Sequence, residues 1–243
     1  MVPSIHFEAG GTKVILPVLK EGNDHPQKVN RYQQLRIERE ANYERIWLQS
    51  EDPFPVHPVW FNRCEQFLKN HIGDGHHVVD LGCGKGEMTE CLLQWGKKVD
   101  AVDISTNALK KVKAHSNLKT FREALPRTKL IDSTYDVVVA LDLIGTMEEE
   151  EYRLFFSELA RIGKRDSLAL VSTPFDPKTE GGIERFLALF ATEYELIDLE
   201  VAHLKWTFGS KLLTKIFEGM RRFLLAERGI THAIAVGRRK RML

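Results

Sequence analysis

Cysteine is scarce in this chain: Cys64, Cys83 and Cys91 are odd in number and show no Cys-x-x-Cys spacing. Neither a disulfide framework nor a zinc site is expected from them, no metal is assigned, and a reducing compartment fits better. Proline (9 residues) and glycine (17) are too few for a disordered or fibrous chain. Charge of one sign is also missing. Thirty-five Lys and Arg stand against 34 Asp and Glu, a net charge of +1, which excludes a globally polybasic nucleic-acid binder but not a local basic patch. No run approaches the ~20 apolar residues of a membrane span. The opening stretch MVPSIHFEAGGTKVILPVL has no basic region followed by a sustained apolar one, so no signal peptide and a cytoplasmic location are expected. What is present is 243 residues, 43% hydrophobic, enough for one large or two small domains whose core needs no staples.

From about residue 76 to 174, short β-branched runs alternate with longer helical patterns. HVVDLG (77–82), KVDAVDI (98–104), LKTFRE (118–123), YDVVVALDLI (135–144) and SLALVSTP (167–174) read as strands. Helices are expected over 87–95, 106–115 and 149–162, then over 183–191 and 211–227, with further strands at 194–202 and 230–237. This order implies right-handed βαβ units: a doubly wound Rossmann-like α/β sheet, mostly parallel, with the last strand antiparallel. The N-terminal part differs. A hairpin over 3–20 turning at Gly10-Gly11, a charged helix over 31–48 and a helix over 59–71 are expected. Residues 1–57 read as a helical appendage or lid on a domain spanning 58–243, with an insert at about 203–229.

The informative stretch is VVDLGCGKGEMTECLLQWGKKVDAVDIS (78–105). Gly82, Gly84 and Gly86 fall where the first strand turns into the first helix, where positive φ and close backbone approach to a ligand are needed. A dinucleotide fingerprint is G-x-G-x-x-G; here the third glycine comes one position early and Asp80 precedes the first by two. A carboxylate there would repel a pyrophosphate. It would attract an ammonium or sulfonium, by about 1–4 kcal/mol for charges ~4 Å apart near a surface, and S-adenosylmethionine carries both. Asp103, at the end of the second strand, is placed to accept both ribose hydroxyls, and Ile104 beside it to pack on the adenine.

These residues resemble the class I S-adenosylmethionine-dependent methyltransferases: VVDLGCGKG is similar to the family's first motif, AVDIS to its second, and residues 123–147 to its adenine loop and fourth strand. The resemblance implies S-adenosyl-L-methionine as cofactor. It puts Asp80, Gly82 and Gly84 at the methionine end, with Cys83 and Gly86 in the same cofactor-binding loop, and Asp103 at the ribose. Ile104 and Leu125 would enclose the adenine, with Glu123 or Ala124 at its polar edge and Leu141 near the amine and sulfur. The chain departs from the family's pattern after the fourth strand, where Leu143-Ile144-Gly145-Thr146 offers no histidine base.

Methyl transfer needs nucleophile and methyl held in line, and a base only if the acceptor must lose a proton. Asp142 is the candidate catalytic group. Tyr32 and Arg31 are candidates to reach over the cofactor, and Arg63 reads first as a surface salt-bridge residue, with the cofactor carboxylate as its alternative partner. His76 and His77 read as exposed loop residues, and Glu148–Glu151 as the solvated start of a helix. Residues 201–243 hold ten Lys/Arg and two acids beside an apolar stripe (Leu212, Leu213, Ile216, Phe217, Met220). The leading expectation is a small, hydrophobic acceptor. The rival readings are an RNA or protein acceptor held by the basic segment, a peripheral membrane contact, a non-catalytic cofactor-binding protein, and a dehydrogenase, which Asp80 disfavours.

Overall fold

The computed structural model describes residues 4–9, 12–17, 26–55, 58–175, 182–203 and 231–241. Its centre is a seven-stranded sheet. In chain order the strands are β3 (His77–Leu81), β4 (Lys98–Asp103), β5 (Leu118–Arg122), β6 (Tyr135–Ala140), β7 (Gly163–Phe175), β8 (Tyr194–His203) and β9 (Thr231–Arg239). They lie side by side as β5-β4-β3-β6-β7-β9-β8. All neighbours from β5 to β7 are parallel, and β9 runs antiparallel to both β7 and β8. The first half of the sheet grows outward from β3 and the second half from β6. The carboxyl ends of those two strands therefore form the switch point where such sheets bind ligands.

Strand alternation feeds two cores. One face carries Val79, Leu81, Val138, Ala140, Ala169 and Val171 against α5 (Tyr152–Ile162) and α6 (Gly182–Glu193), whose Phe155, Phe156, Phe186 and Phe190 are buried there. The other carries Val78, Val137, Val139, Leu170, Ile234 and Val236 against α2 (Pro58–Lys69) and α3 (Glu87–Trp95), through Trp60, Leu68, Leu92 and Trp95. Burying both faces explains why these strands are continuously apolar.

The N-terminal part holds an antiparallel pair, β1 (Ser4–Ala9) and β2 (Thr12–Pro17), then α1 (Pro26–Gln49). Helix α1 docks on the sheet domain through polar anchors. Arg39 donates to both carboxylate oxygens of Glu151, at 3.2 and 2.6 Å, and Glu151 is only 1% exposed. Glu44 accepts from the Ser105 hydroxyl and the backbone N–H of Thr106 and Asn107 at 2.8–3.1 Å, capping α4 (Thr106–Leu109). Partial burial opposes ionisation of Glu44, yet these bonds outweigh it and hold its carboxyl below the ordinary value.

Several expectations are corrected. The helix expected over 106–115 is the single turn α4, because Lys111 reaches back to the carbonyls of Ser50 and Glu51 and Val112 packs over Gly86. Glu151 is not solvated, since Arg39 covers it. His77 is not a loop residue: it opens β3, 3.0 Å from Asp100 and against the Tyr135 ring. The expected helix 211–227, its apolar stripe and most of the basic segment lie outside the described residues.

Candidate active site

A cavity of about 550 Å³ opens at the switch point, in the size range of small-ligand sites. Its floor is the loop between β3 and α3. Gly82, Gly84 and Gly86 all have positive φ (72°, 54° and 89°). The loop is held to β4 by the N–H groups of Gly82 and Cys83, which both donate to the Val102 carbonyl at 2.7 and 3.0 Å. A side chain at Gly82 would place its first carbon 2.3 Å from Leu143, and one at Gly84 would meet the Trp47 ring at 3.2 Å. Glycine is required here by conformation and by space.

Asp103 is 8% exposed. One of its carboxylate oxygens accepts from Gly84 N–H at 3.0 Å and the other from Ser105 N–H at 2.8 Å. Each oxygen keeps acceptor capacity for a ligand hydroxyl. Burial, aided by the charge of Glu44, raises its carboxyl against the pull of these N–H groups. Asp80, 3% exposed, accepts from the Thr89 hydroxyl at 2.6 Å. Burial pushes it up to about 6, with the charge of Asp103 adding and the Thr89 bond opposing.

Of the residues expected to bind cofactor, Asp80, Gly82, Cys83, Gly84, Asp103, Ile104, Glu123, Leu125 and Leu141 line this cavity, as does Asp142. Gly86 does not line it; it starts α3 and backs onto Val112. Ala124 is buried away from it. The Cys83 thiol is raised well above its ordinary value by burial, so it stays protonated. Arg63 pairs with Glu200 at 2.9 Å instead of facing the cavity. Arg31 is exposed and the Tyr32 side chain lies outside the described residues; Arg39, Tyr43 and Trp47 form the α1 wall in their place. Trp60, Phe61 and Cys64 from α2, Phe54, and His232 from β9 also line it. No local pattern pointed to these. The only available signal for the α1 wall was aromatics recurring on one face of a charged helix.

The donor set fits S-adenosylmethionine. Six carboxylates line the cavity (Asp52, Asp80, Glu87, Asp103, Glu123, Asp142) against the cations Arg39 and Lys85. Both cations are engaged, Lys85 by Asp52 and Glu87, Arg39 by Glu151. Such a lining favours a cationic ligand and repels a pyrophosphate.

Residues 78–166 match the methyltransferase-domain family. A ubiquinone biosynthesis O-methyltransferase of Nitrosococcus oceani is 24% identical over 189 residues, covering 68% of this chain and 77% of that protein. Against the like-named Bordetella avium protein the match is 29% and spans 44% of the relative. Among solved structures, the N-methyltransferase NodS of Bradyrhizobium japonicum, in complex with S-adenosylhomocysteine, covers 84% of this chain and 99% of its own (TM-score 0.62, 14% identity). The 1,6-didemethyltoxoflavin-N1-methyltransferase of Burkholderia thailandensis covers 93% and 96% (TM-score 0.62, 13% identity). The fold and the glycine loop together define a Rossmann-like transferase: residues 78–166 are a methyltransferase domain, and the activity is S-adenosylmethionine-dependent methyl transfer. S-adenosylmethionine is its cofactor.

The raised Asp80 carboxyl has a pH consequence. Below about 6 it is protonated in the free protein and offers no charge to the cofactor's ammonium. Affinity for S-adenosylmethionine is expected to fall about tenfold from pH 7 to pH 5, following one protonation, and binding near pH 6 to release a proton. Calorimetry in buffers of different ionisation enthalpy checks both. Asp80→Asn should flatten the profile.

Proposed function

We propose that this enzyme methylates a small acceptor with an apolar body, through a hydroxyl group. The observation that carries this reading is the cavity itself. Its lining includes Trp60, Phe61 and Cys64 of α2, and among the described residues its cations Arg39 and Lys85 are both ion-paired. The named activity of the Nitrosococcus and Bordetella relatives supports oxygen as the methylated atom.

In this reading Asp103 holds the ribose hydroxyls, Ile104 and Leu125 enclose the adenine, and Glu123 lies at its polar edge. Asp80 and the loop of Gly82, Cys83 and Gly84 hold the methionine end beside Leu141. The bound cofactor supplies a methyl group on a sulfonium. The protein's own work is to hold the acceptor oxygen in line, exclude water and remove a proton. Asp142, two residues past β6, is a polar group of the cavity that takes part in that step. Residues 1–57 act as a lid on the domain formed by 58–243, an arrangement supported by the Arg39–Glu151 and Glu44–α4 anchors and by Trp47 over Gly84.

The test is transfer of labelled methyl to alkyl-substituted catechols, to total RNA and to a protein extract, at low and high salt. Label in the catechol, with a rate that changes little with salt, is expected. Label in RNA that collapses as salt rises would mark phosphate contacts and overturn the small-acceptor reading.

A further inference from the structure

One corner of the cavity carries a polar pair that cofactor binding does not use. Asp142 is fixed from three sides. Its Oδ1 accepts from the Ser172 hydroxyl at 2.7 Å, its Oδ2 from the Trp60 indole N–H at 3.1 Å, and its backbone N–H donates to Ser172 at 2.9 Å. Its φ of 54° lies in the left-handed region, which a non-glycine residue keeps only where its surroundings enforce it. His232, on β9, packs its ring 4.8 Å from that of Trp60 and is 16% exposed. Its Nδ1 is buried. Its Nε2 lies 3.9 Å from Oδ2 of Asp142. That gap is too long for a direct hydrogen bond, and a hydroxyl set beside the two atoms has a single proton to donate, to Nε2 or to Oδ2.

We infer that the acceptor's hydroxyl donates to Nε2 of His232, on the side of the Asp142 carboxylate, and that His232 is the base that takes its proton. This rests on the hydroxyl-acceptor reading above. As the acceptor oxygen bonds to the methyl carbon, its proton passes to Nε2, and the carbon–sulfur bond breaks with its electron pair left on sulfur. The fixed carboxylate of Asp142, 3.9 Å from Nε2, favours the positive charge of the imidazolium that forms. Among the described residues, the other ionisable groups at this corner come from α2 and β8. Burial, with the charges of Asp142 and Glu200, keeps the Cys64 thiol protonated, and Arg63 and Glu200 neutralise each other as a pair.

The test compares wild type with His232→Gln, using catechol and the more acidic 4-nitrocatechol as acceptors. With S-adenosylhomocysteine bound, 4-nitrocatechol should turn to its coloured phenolate at lower pH on the wild-type protein than in solution, and not on the variant. Turnover of catechol should fall 10²–10⁴-fold, that of 4-nitrocatechol much less, and the acid limb of the wild-type pH–rate profile should vanish. S-adenosylhomocysteine affinity should stay within about twofold, since the cofactor residues are untouched. An equal phenolate shift in the variant, equal losses for both phenols, or a parallel loss of cofactor affinity would each overturn the assignment of His232. Binding of neither phenol would remove the acceptor class and this inference with it, so the two failures are distinguishable. If the glutamine variant does not fold, Asp142→Asn keeps a polar group in place; it should weaken the phenolate shift, and an unchanged shift would overturn the pairing.

Discussion

Asp103→Ala is expected to weaken S-adenosylhomocysteine binding by 100-fold or more, as read by calorimetry. Two effects combine. A hydrogen bond to a charged acceptor contributes about 1.5–3 kcal/mol, and the carboxylate has room for two ribose hydroxyls. The same carboxylate positions the loop, because Gly84 N–H and Ser105 N–H both donate to it. Removing it frees one N–H at the turn of the glycine loop and one at the start of α4. Asp103→Asn should fall between wild type and alanine, since an amide presents one acceptor oxygen where two donors converge. Near-wild-type affinity in a folded alanine variant would show that the ribose lies elsewhere.

Arg39→Ala is expected to cost about 3–5 kcal/mol of stability, the range for breaking a buried ion pair on one side. Glu151 is 1% exposed and Arg39 14%. The variant leaves a carboxylate with the Glu148 N–H as a hydrogen-bond donor but no counter-charge in the described contacts. For a chain of this size each kcal/mol corresponds to roughly 2–4 °C, so the melting temperature should drop by about 6–20 °C. The double variant Arg39→Ala/Glu151→Ala should recover much of the loss, because it removes the stranded charge. Arg39 also lies 3.5 Å from the Leu125 carbonyl. Cofactor affinity should therefore fall as well, as the α1 wall of Tyr43 and Trp47 loosens. A loss below 1 kcal/mol, the value of an exposed pair, would mean that α1 is not docked in solution as described here.

Much of the sheet was legible because its signals are local. β-Branched runs buried on both faces leave little choice but strand, and three glycines after Asp80 mark the strand–helix turn. The cofactor loop and Asp103 follow from that turn and the next strand end. The rest depends on partners far away in sequence. Glu151 sits in a run of acids that looks solvated, and only Arg39, 112 residues earlier, makes it buried. α4 stops after one turn because Lys111 bonds to carbonyls 60 residues before it. His232 has no motif around it and joins the site only because β9 inserts between β7 and β8. Trp47 and Trp60 look like ordinary apolar positions of two helices, yet the cavity takes its walls from them.

The most direct test of the site is a crystal structure of the complex with S-adenosylhomocysteine. Both ribose hydroxyls are expected on the Asp103 carboxylate, the adenine between Ile104 and Leu125, and the ligand's ammonium facing Asp80. A ribose that does not touch Asp103, or a ligand seated away from the Gly82–Gly86 loop, would contradict this placement.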